Sequence, residues 1–280
     1  MLDNIIIDRI IKNALEEDLG WGDVTTDSII ADTSIIKGNF IAKEEGIVCG
    51  IEVCRRVFEI LDESIGFQAH MRDGQKAGKG DIIAEISGNA RSILKGERTA
   101  LNFFQRMSGI ATLTSKYVSE ISGLKTKIAD TRKTVPGLRI LDKYSVKVGG
   151  GFNHRFNLSD MVLIKDNHIK AAGGIAPAVA AVKEKCSHGL KVEVEVESIK
   201  ELMEAMEAGA DIVMLDNMTL EMMKEAVSIA EGKVLLEASG NITIDGERGV
   251  RAVAETGVDI ISAGSLTNSV KAMDISLRFL

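Results

Sequence analysis

Apolar positions near the start of the chain recur at helical spacing: Ile6, Ile7, Ile10, Ile11 and Leu15 form one stripe that stops at Gly20. Asp3, Asp8 and Arg9 interrupt the stripe, which makes this an amphipathic helix and not a signal peptide. GWGDVTTDSI follows as a turn-rich connection. Short apolar runs then alternate with turn signals in GNFIAKEEGIVCG, the helical IEVCRRVFEIL, FQAHMRDGQ and GDIIAEISG. With turns at Asp73-Gly74 and Gly80-Asp81, this stretch predicts a small sheet-plus-helix domain. Lys95 to Gly123 reads as helix, broken near Ser108-Gly109, leading into a second domain.

From Lys125 the rhythm changes. Apolar runs at KIAD, MVLI, KVEVEV, DIVML, VLLEA and DIISA predict six buried strands, and a seventh is expected near Phe152 to Phe156. Helical stretches such as GIAPAVAAVKEKC, SIKELMEAMEAG and LEMMKEAVSIA separate most of them. Repeated strand–helix units of this length mean parallel strands, in an α/β barrel or a doubly wound sheet.

Each apolar run ends on polar or small residues. These are Asp130-Thr131-Arg132-Lys133, Lys165-Asp166-Asn167, Glu195, Asp216-Asn217, Ser239-Gly240 and Ser262-Ala263-Gly264. In an α/β barrel all such ends face one rim, where active sites are built.

Charge sharpens this picture. The 280-residue chain has net charge −7, yet residues 130 to 170 hold eight Lys/Arg against four Asp, leaving 26 basic against 37 acidic elsewhere. A local positive field inside an acidic protein suits a small anionic ligand, whereas a nucleic-acid binder is more often basic overall. Hydrophobic residues make up 45% and aromatics only 4%, so the core is aliphatic, as in α/β proteins. Cys49, Cys54 and Cys186 have no metal-like spacing, and Cys186 is expected to be buried. No stretch reaches transmembrane length, and the chain is read as cytoplasmic.

The rim residues admit several chemistries. The glycine-bearing turns of EASGNIT and SAGSLTNS each lead into a helix and offer backbone N–H groups to a phosphate. Glu195 and Asp216, on neighbouring strand ends, suit Mg²⁺, sugar hydroxyls or acid–base work, or a plain salt bridge to the basic cluster. Glu193 points the same way one layer deeper. Lys165 would suit a Schiff-base aldolase, but Arg98, Arg132, Arg155, Lys133 and Lys165 together point to a substrate with several anionic groups. A non-catalytic phosphate-binding module is the third reading. Of His154 and His168, only His154 adjoins an arginine.

The motifs EEDLGWGDVTTD, GERTALNFFQRMSGIATLT, DTRKTVPGLR, KVGGGFNHRFNLSDMVLIKDNHI, VEVEVES, DIVMLDNM, LEASGNI and SAGSLTNS occur in the order seen in quinolinate phosphoribosyltransferases. The resemblance runs from about residue 16 to 270. It implies a small N-terminal α/β sandwich domain with a helical bridge (1–112), a seven-stranded α/β barrel (113–270) and a C-terminal segment (271–280). It also implies Mg²⁺-dependent, decarboxylating phosphoribosyl transfer from phosphoribosyl pyrophosphate to quinolinate, as against nicotinate or a related ring. By the family pattern, Arg98, Arg132, His154, Arg155 and Lys165 line the quinolinate pocket. Lys133 and Lys165 lie toward the donor, and Glu195 and Asp216 meet ribose hydroxyls and Mg²⁺. Ser239, Gly240 and Asn241 with Ser262, Ala263 and Gly264 hold the 5′-phosphate. The resemblance implies a homodimer, or a higher oligomer of dimers, with Arg98 contributed to the partner's site, and neither nucleic acid nor membrane as partner. Many relatives read LTHS where this chain reads LTNS, which leaves Asn268 without the family's histidine role.

Overall fold

A computed structural model describes residues 4–246 and 248–280; Asp3 lies outside them. The chain opens with α1 (Asn4–Leu19), α2 (Val24–Ile29), β1 (Ile35–Ala42), β2 (Gly46–Ile47) and α3 (Ile51–Leu61). Next come β3 (Gly66–Ala69), β4 (Lys76–Ala77), β5 (Ile82–Asn89) and the long α4 (Ala90–Glu120). Beyond it lie β6 (Lys127–Ala129), α5 (Arg139–Val148), β7 (Val162–Ile164), α6 (Asp166–Ala172) and α7 (Ile175–Lys185). The chain continues through β8 (Val192–Val196), α8 (Ile199–Glu207), β9 (Ile212–Asp216) and α9 (Leu220–Ala230). It closes with β10 (Leu235–Ser239), α10 (Val250–Ala254), β11 (Ile260–Ser262), α11 (Ser265–Asn268) and β12 (Ile275–Phe279).

These elements form two compact units, one of residues up to 115 with 135–150 and 269–280, the other of 116–134 and 151–268. Residues 135–150, which the sequence reading grouped with segment 113–270, fold with the first unit because α5 buries Leu141 in that unit's core.

In the first unit α1 buries Ile7, Ile11 and Leu15 along one face, and Gly20, at φ +49°, follows its end. Asp23 caps α2 by accepting the Thr26 N–H at 3.0 Å. The sheet is antiparallel, in the order β12-β1-β5-β3. Its few aromatics are concentrated: Phe40 meets Phe58 and Phe104 edge-on at 6.1 and 6.3 Å. α4 runs unbroken through Ser108 and Gly109, where a break was expected. The glycine there serves a close approach instead, since a Cβ on Gly109 would overlap the Lys271 carbonyl oxygen. Ser108 Oγ accepts the Cys49 N–H at 3.0 Å.

In the second unit six parallel strands are ordered β6-β11-β10-β9-β8-β7, a barrel-like sheet with its helices between successive strands. The seventh strand expected near Phe152 is a single parallel bridge from Phe152 to Ala129. Ser198 and Thr219 cap α8 and α9, their hydroxyls accepting the Glu201 and Met222 N–H groups. Cys186, expected to be buried, is exposed at the C-terminal end of α7, while Cys49 and Cys54 are buried. Among the described residues, no helix is long and apolar enough to cross a membrane.

Candidate active site

Parallel register fixes which residues share the C-terminal rim. Glu195 of β8 lies beside Met214 of β9, and Asp216 at the end of β9 lies beside Ser239 of β10. A cavity of about 510 Å³ opens there. Arg132 and Lys133 enter it after β6, His154 and Arg155 just after the Phe152 bridge, and Lys165 after β7. Glu195, Asp216, Ser239, Gly240, Asn241 and Ser262 complete the polar wall, with Leu163 and Met214 as apolar lining.

Three expected site residues are not on that wall. The Ala263 N–H is used by the Ala129 carbonyl, at 3.0 Å. Gly264 sits beneath Lys133, where a Cβ would come within 2.8 Å of Lys133 Cδ. Arg98 is exposed on α4, outside the cavity lining. The basic segment is likewise divided: Arg132, Lys133, Arg155 and Lys165 reach the cavity, whereas Arg139, Lys143 and Lys147 belong to α5. His168 accepts the Lys165 N–H at Nδ1, 2.9 Å away, and so acts in the turn that starts α6.

Within the cavity Lys165 Nζ and Glu195 Oε2 form an ion pair at 2.5 Å, with Lys165 44% and Glu195 15% exposed. Thr131 and Asn217, placed at the rim by the sequence but given no role there, also line the cavity, and Asn217 is the more tightly held. Its amide donates to Asp216 Oδ2 at 3.1 Å and its oxygen accepts from Asn241 Nδ2 at 3.2 Å. Asn217 and Asn241 both adopt left-handed backbone, φ +53° and +52°, which asparagine tolerates better than most residues. Gly240 stands between them at φ +94°, and a Cβ there would overlap the Asn217 amide. The Asp216-Asn217 pair at a strand end was the available signal. The two loop helices are short: α11 is a single turn, and ten residues separate β10 from α10. This wall therefore offers an anion loop N–H groups more than helix ends.

One layer deeper the barrel interior is polar. Glu193 is fully buried, Glu237 is 2% exposed and the His154 side chain 8%. His154 Nε2 lies 3.1 Å from Glu193 Oε2 and 3.5 Å from Glu237 Oε1. Asp130 accepts the His154 N–H at 2.8 Å and the Asn153 amide at 2.6 Å. Burial, reinforced by the Glu193 carboxylate, pushes the Glu237 carboxyl up to about 8. Arg155 is buried beside Glu193 and donates to the Met161 carbonyl at 3.2 Å. Burial first, and then the Arg132 charge, lower its pKa, while Glu193 opposes them.

Comparison with known proteins identifies the family of the chain. Residues 23–108 match the model of the quinolinate phosphoribosyl transferase N-terminal domain, and residues 110–278 that of the C-terminal domain. The chain is 41% identical over 276 residues to a probable carboxylating nicotinate-nucleotide pyrophosphorylase of Bacillus subtilis, covering 99% of this chain and 94% of that protein. It is 44% identical to the chloroplastic carboxylating nicotinate-nucleotide pyrophosphorylase of Arabidopsis thaliana, over 96% of this chain and 81% of that one. The solved nicotinate-nucleotide pyrophosphorylase of Francisella tularensis superposes with a TM-score of 0.94 at 47% identity, covering 100% of this chain and 98% of that one. By both of its domains and by the fold that carries the cavity, the chain belongs to the quinolinate phosphoribosyl transferase family.

Proposed function

We propose that this protein transfers the phosphoribosyl group of phosphoribosyl pyrophosphate to quinolinate and releases CO₂, giving nicotinate mononucleotide and pyrophosphate, a step of NAD biosynthesis in the cytoplasm. The observation that carries this reading is the meeting of Arg132, Lys133, Arg155 and Lys165 with Glu195 and Asp216 in one cavity. Quinolinate bears two carboxylates. Arg132 and Arg155 are planar forks that grip a carboxylate by two bonds at once, and His154 lines the same cavity with its Nε2 toward the buried Glu193. Lys133 and Lys165 face the donor's phosphates, while the N–H groups of Ser239, Gly240 and Asn241 receive the 5′-phosphate.

The carboxylates of Glu195 and Asp216 accept from the ribose hydroxyls. They place negative charge near C1, where positive character builds as pyrophosphate leaves with the bonding pair. The ring nitrogen forms the new bond to C1. Its positive charge then draws in the electron pair released when the neighbouring carboxylate departs as CO₂, and the ring carbon takes up one proton.

Glu195 and Asp216 also fit Mg²⁺: they are hard oxygen donors on adjacent strand ends, open to the space where phosphates would lie. Bound there, Mg²⁺ would supply charge compensation to the departing pyrophosphate. Lys165 has to leave Glu195 for this to happen. That ion pair also argues against a Schiff-base role for Lys165, because a protonated, paired amine is not a nucleophile. The proposal includes a homodimer in which Arg98 of a second copy completes the quinolinate site.

Incubation with quinolinate, phosphoribosyl pyrophosphate and Mg²⁺ is expected to yield nicotinate mononucleotide and CO₂ in equal amounts. Nicotinate should be a poor substitute, because its single carboxylate leaves one cationic fork unanswered; comparable turnover would overturn the substrate assignment. Glu195→Gln and Asp216→Asn should leave quinolinate affinity nearly intact while lowering turnover and raising the Mg²⁺ concentration needed. Metal dependence unchanged in both variants would mean that these carboxylates merely balance the lysines.

A further inference from the structure

Beneath the cavity, side chains from three distant stretches of sequence converge on one imidazole. Glu193 reaches it from β8 and Glu237 from β10, while His154 itself follows the Phe152 bridge. The tautomer of that ring can be read from its contacts. Nδ1 accepts the backbone N–H of Arg155 at 2.7 Å, so it carries a lone pair and the ring proton sits on Nε2. Nε2 faces the two buried carboxyl groups, 3.1 and 3.5 Å away. Both oxygens of Glu193, and Oε1 of Glu237, are buried without a hydrogen bond of normal geometry.

We propose that Glu193 and Glu237 are positioning residues for the cavity. They fix His154 as the Nε2–H tautomer. Through that ring they hold the Arg155 backbone so that its guanidinium meets a substrate carboxylate. The inference rests on the reading of the cavity as a quinolinate site.

Arg155 is buried beside Glu193, and His154 is the shared neighbour of the two carboxyl groups. Glu237 is faced by Glu193 from β8, by His154, by the Ser262 hydroxyl from β11 and by Asp130 at the end of β6. Burial penalises its ionisation most and the two acids add to that, while the His154 ring and the Ser262 hydroxyl act the other way. A second cavity of about 250 Å³, which Lys127, Asn153 and Glu237 help to line, also reaches His154 and Arg155. A carboxyl whose folded pKa stands above its ordinary value keeps its proton below that pKa and loses it above. The arrangement should therefore persist at pH 7 and fail as pH rises through about 8.

The test begins with the resting protein. In ¹⁵N-histidine spectra, with the His154 signals assigned by their loss in His154→Asn, one bare and one protonated ring nitrogen are expected at pH 7. Bonding within the ring should identify the protonated one as Nε2, with a change setting in above about pH 8. Glu237→Gln, which mimics the neutral acid, should keep the tautomer and abolish that change. Glu237→Ala and Glu193→Gln should each weaken quinolinate binding by roughly 10- to 100-fold, with phosphoribosyl pyrophosphate binding within about twofold of wild type. An Nδ1-protonated or doubly protonated His154 at pH 7 would overturn the proposal. So would Glu237→Gln behaving like Glu237→Ala, or Glu193→Gln binding quinolinate normally. Should Glu193→Gln fail to fold, the wild-type spectra and the Glu237 pair decide alone. If wild-type protein does not bind quinolinate at all, the functional reading falls, while the spectra still report on the ring.

Discussion

Arg98→Ala and Arg155→Ala subunits, each almost inactive alone, should regain about a quarter of wild-type activity when mixed and allowed to exchange. Arg98 is exposed on α4 and Arg155 is buried in the cavity wall. If a second copy brings Arg98 to the cavity, a mixed dimer holds one site with both arginines and one with neither. Random pairing makes about half the dimers mixed, each with one intact site of two, which gives roughly one quarter under isologous pairing. If Arg98 served its own chain, every site in the mixture would lack one arginine. Activity remaining at the single-mutant level, with exchange confirmed by mass spectrometry, would refute the shared site.

The second large effect is on binding. Arg155→Ala should weaken quinolinate by about 3–5 kcal/mol, the range for removing one partner of a buried charge pair, against about 0–1 kcal/mol for an exposed one. Arg155 falls in the costly class because it is 8% exposed and stands beside the fully buried Glu193. The donor, which the proposed function assigns to lysines and loop N–H groups, should bind nearly as before. Calorimetric titration of both ligands separates the outcomes. A quinolinate affinity within a few-fold of wild type would mean that Arg155 does not touch the substrate.

The barrel strands were legible because apolar runs bounded by polar residues leave little alternative, and the rim followed from the rule that parallel strands end together. The inner layer was legible only in part. The alternation of VEVEV puts Glu193 and Glu195 on one face of β8, and their relative depth could be read from it. That His154 and Glu237 meet Glu193 is a matter of three-dimensional closure, and no local pattern announces it. Other signals were masked by a second use of the same residue type. Ser108-Gly109 looks like a helix breaker, yet its glycine admits a neighbouring backbone carbonyl. The seventh strand could not be delimited because only Phe152 pairs. Residues 135–150 sit between two barrel segments in sequence, but Leu141 belongs to the other unit's core.

The pairing of β12 with β1 has a consequence for how the protein is made. β1 spans Ile35–Ala42 and its partner Ile275–Phe279, so the first sheet cannot be finished until nearly the whole chain has left the ribosome. At about 5–20 residues per second, β1 waits on the order of ten to fifty seconds with one edge unpaired, while the entire barrel is translated. An unpaired edge is a template for wrong partners. Gly38 and Asn39 lie within that edge, paired in the finished sheet with Phe279 and Arg278, and Lys37 stands just before them. A glycine, which the finished sheet needs where β12 packs close, and flanking polar residues also make the waiting strand a poor seed for aggregation.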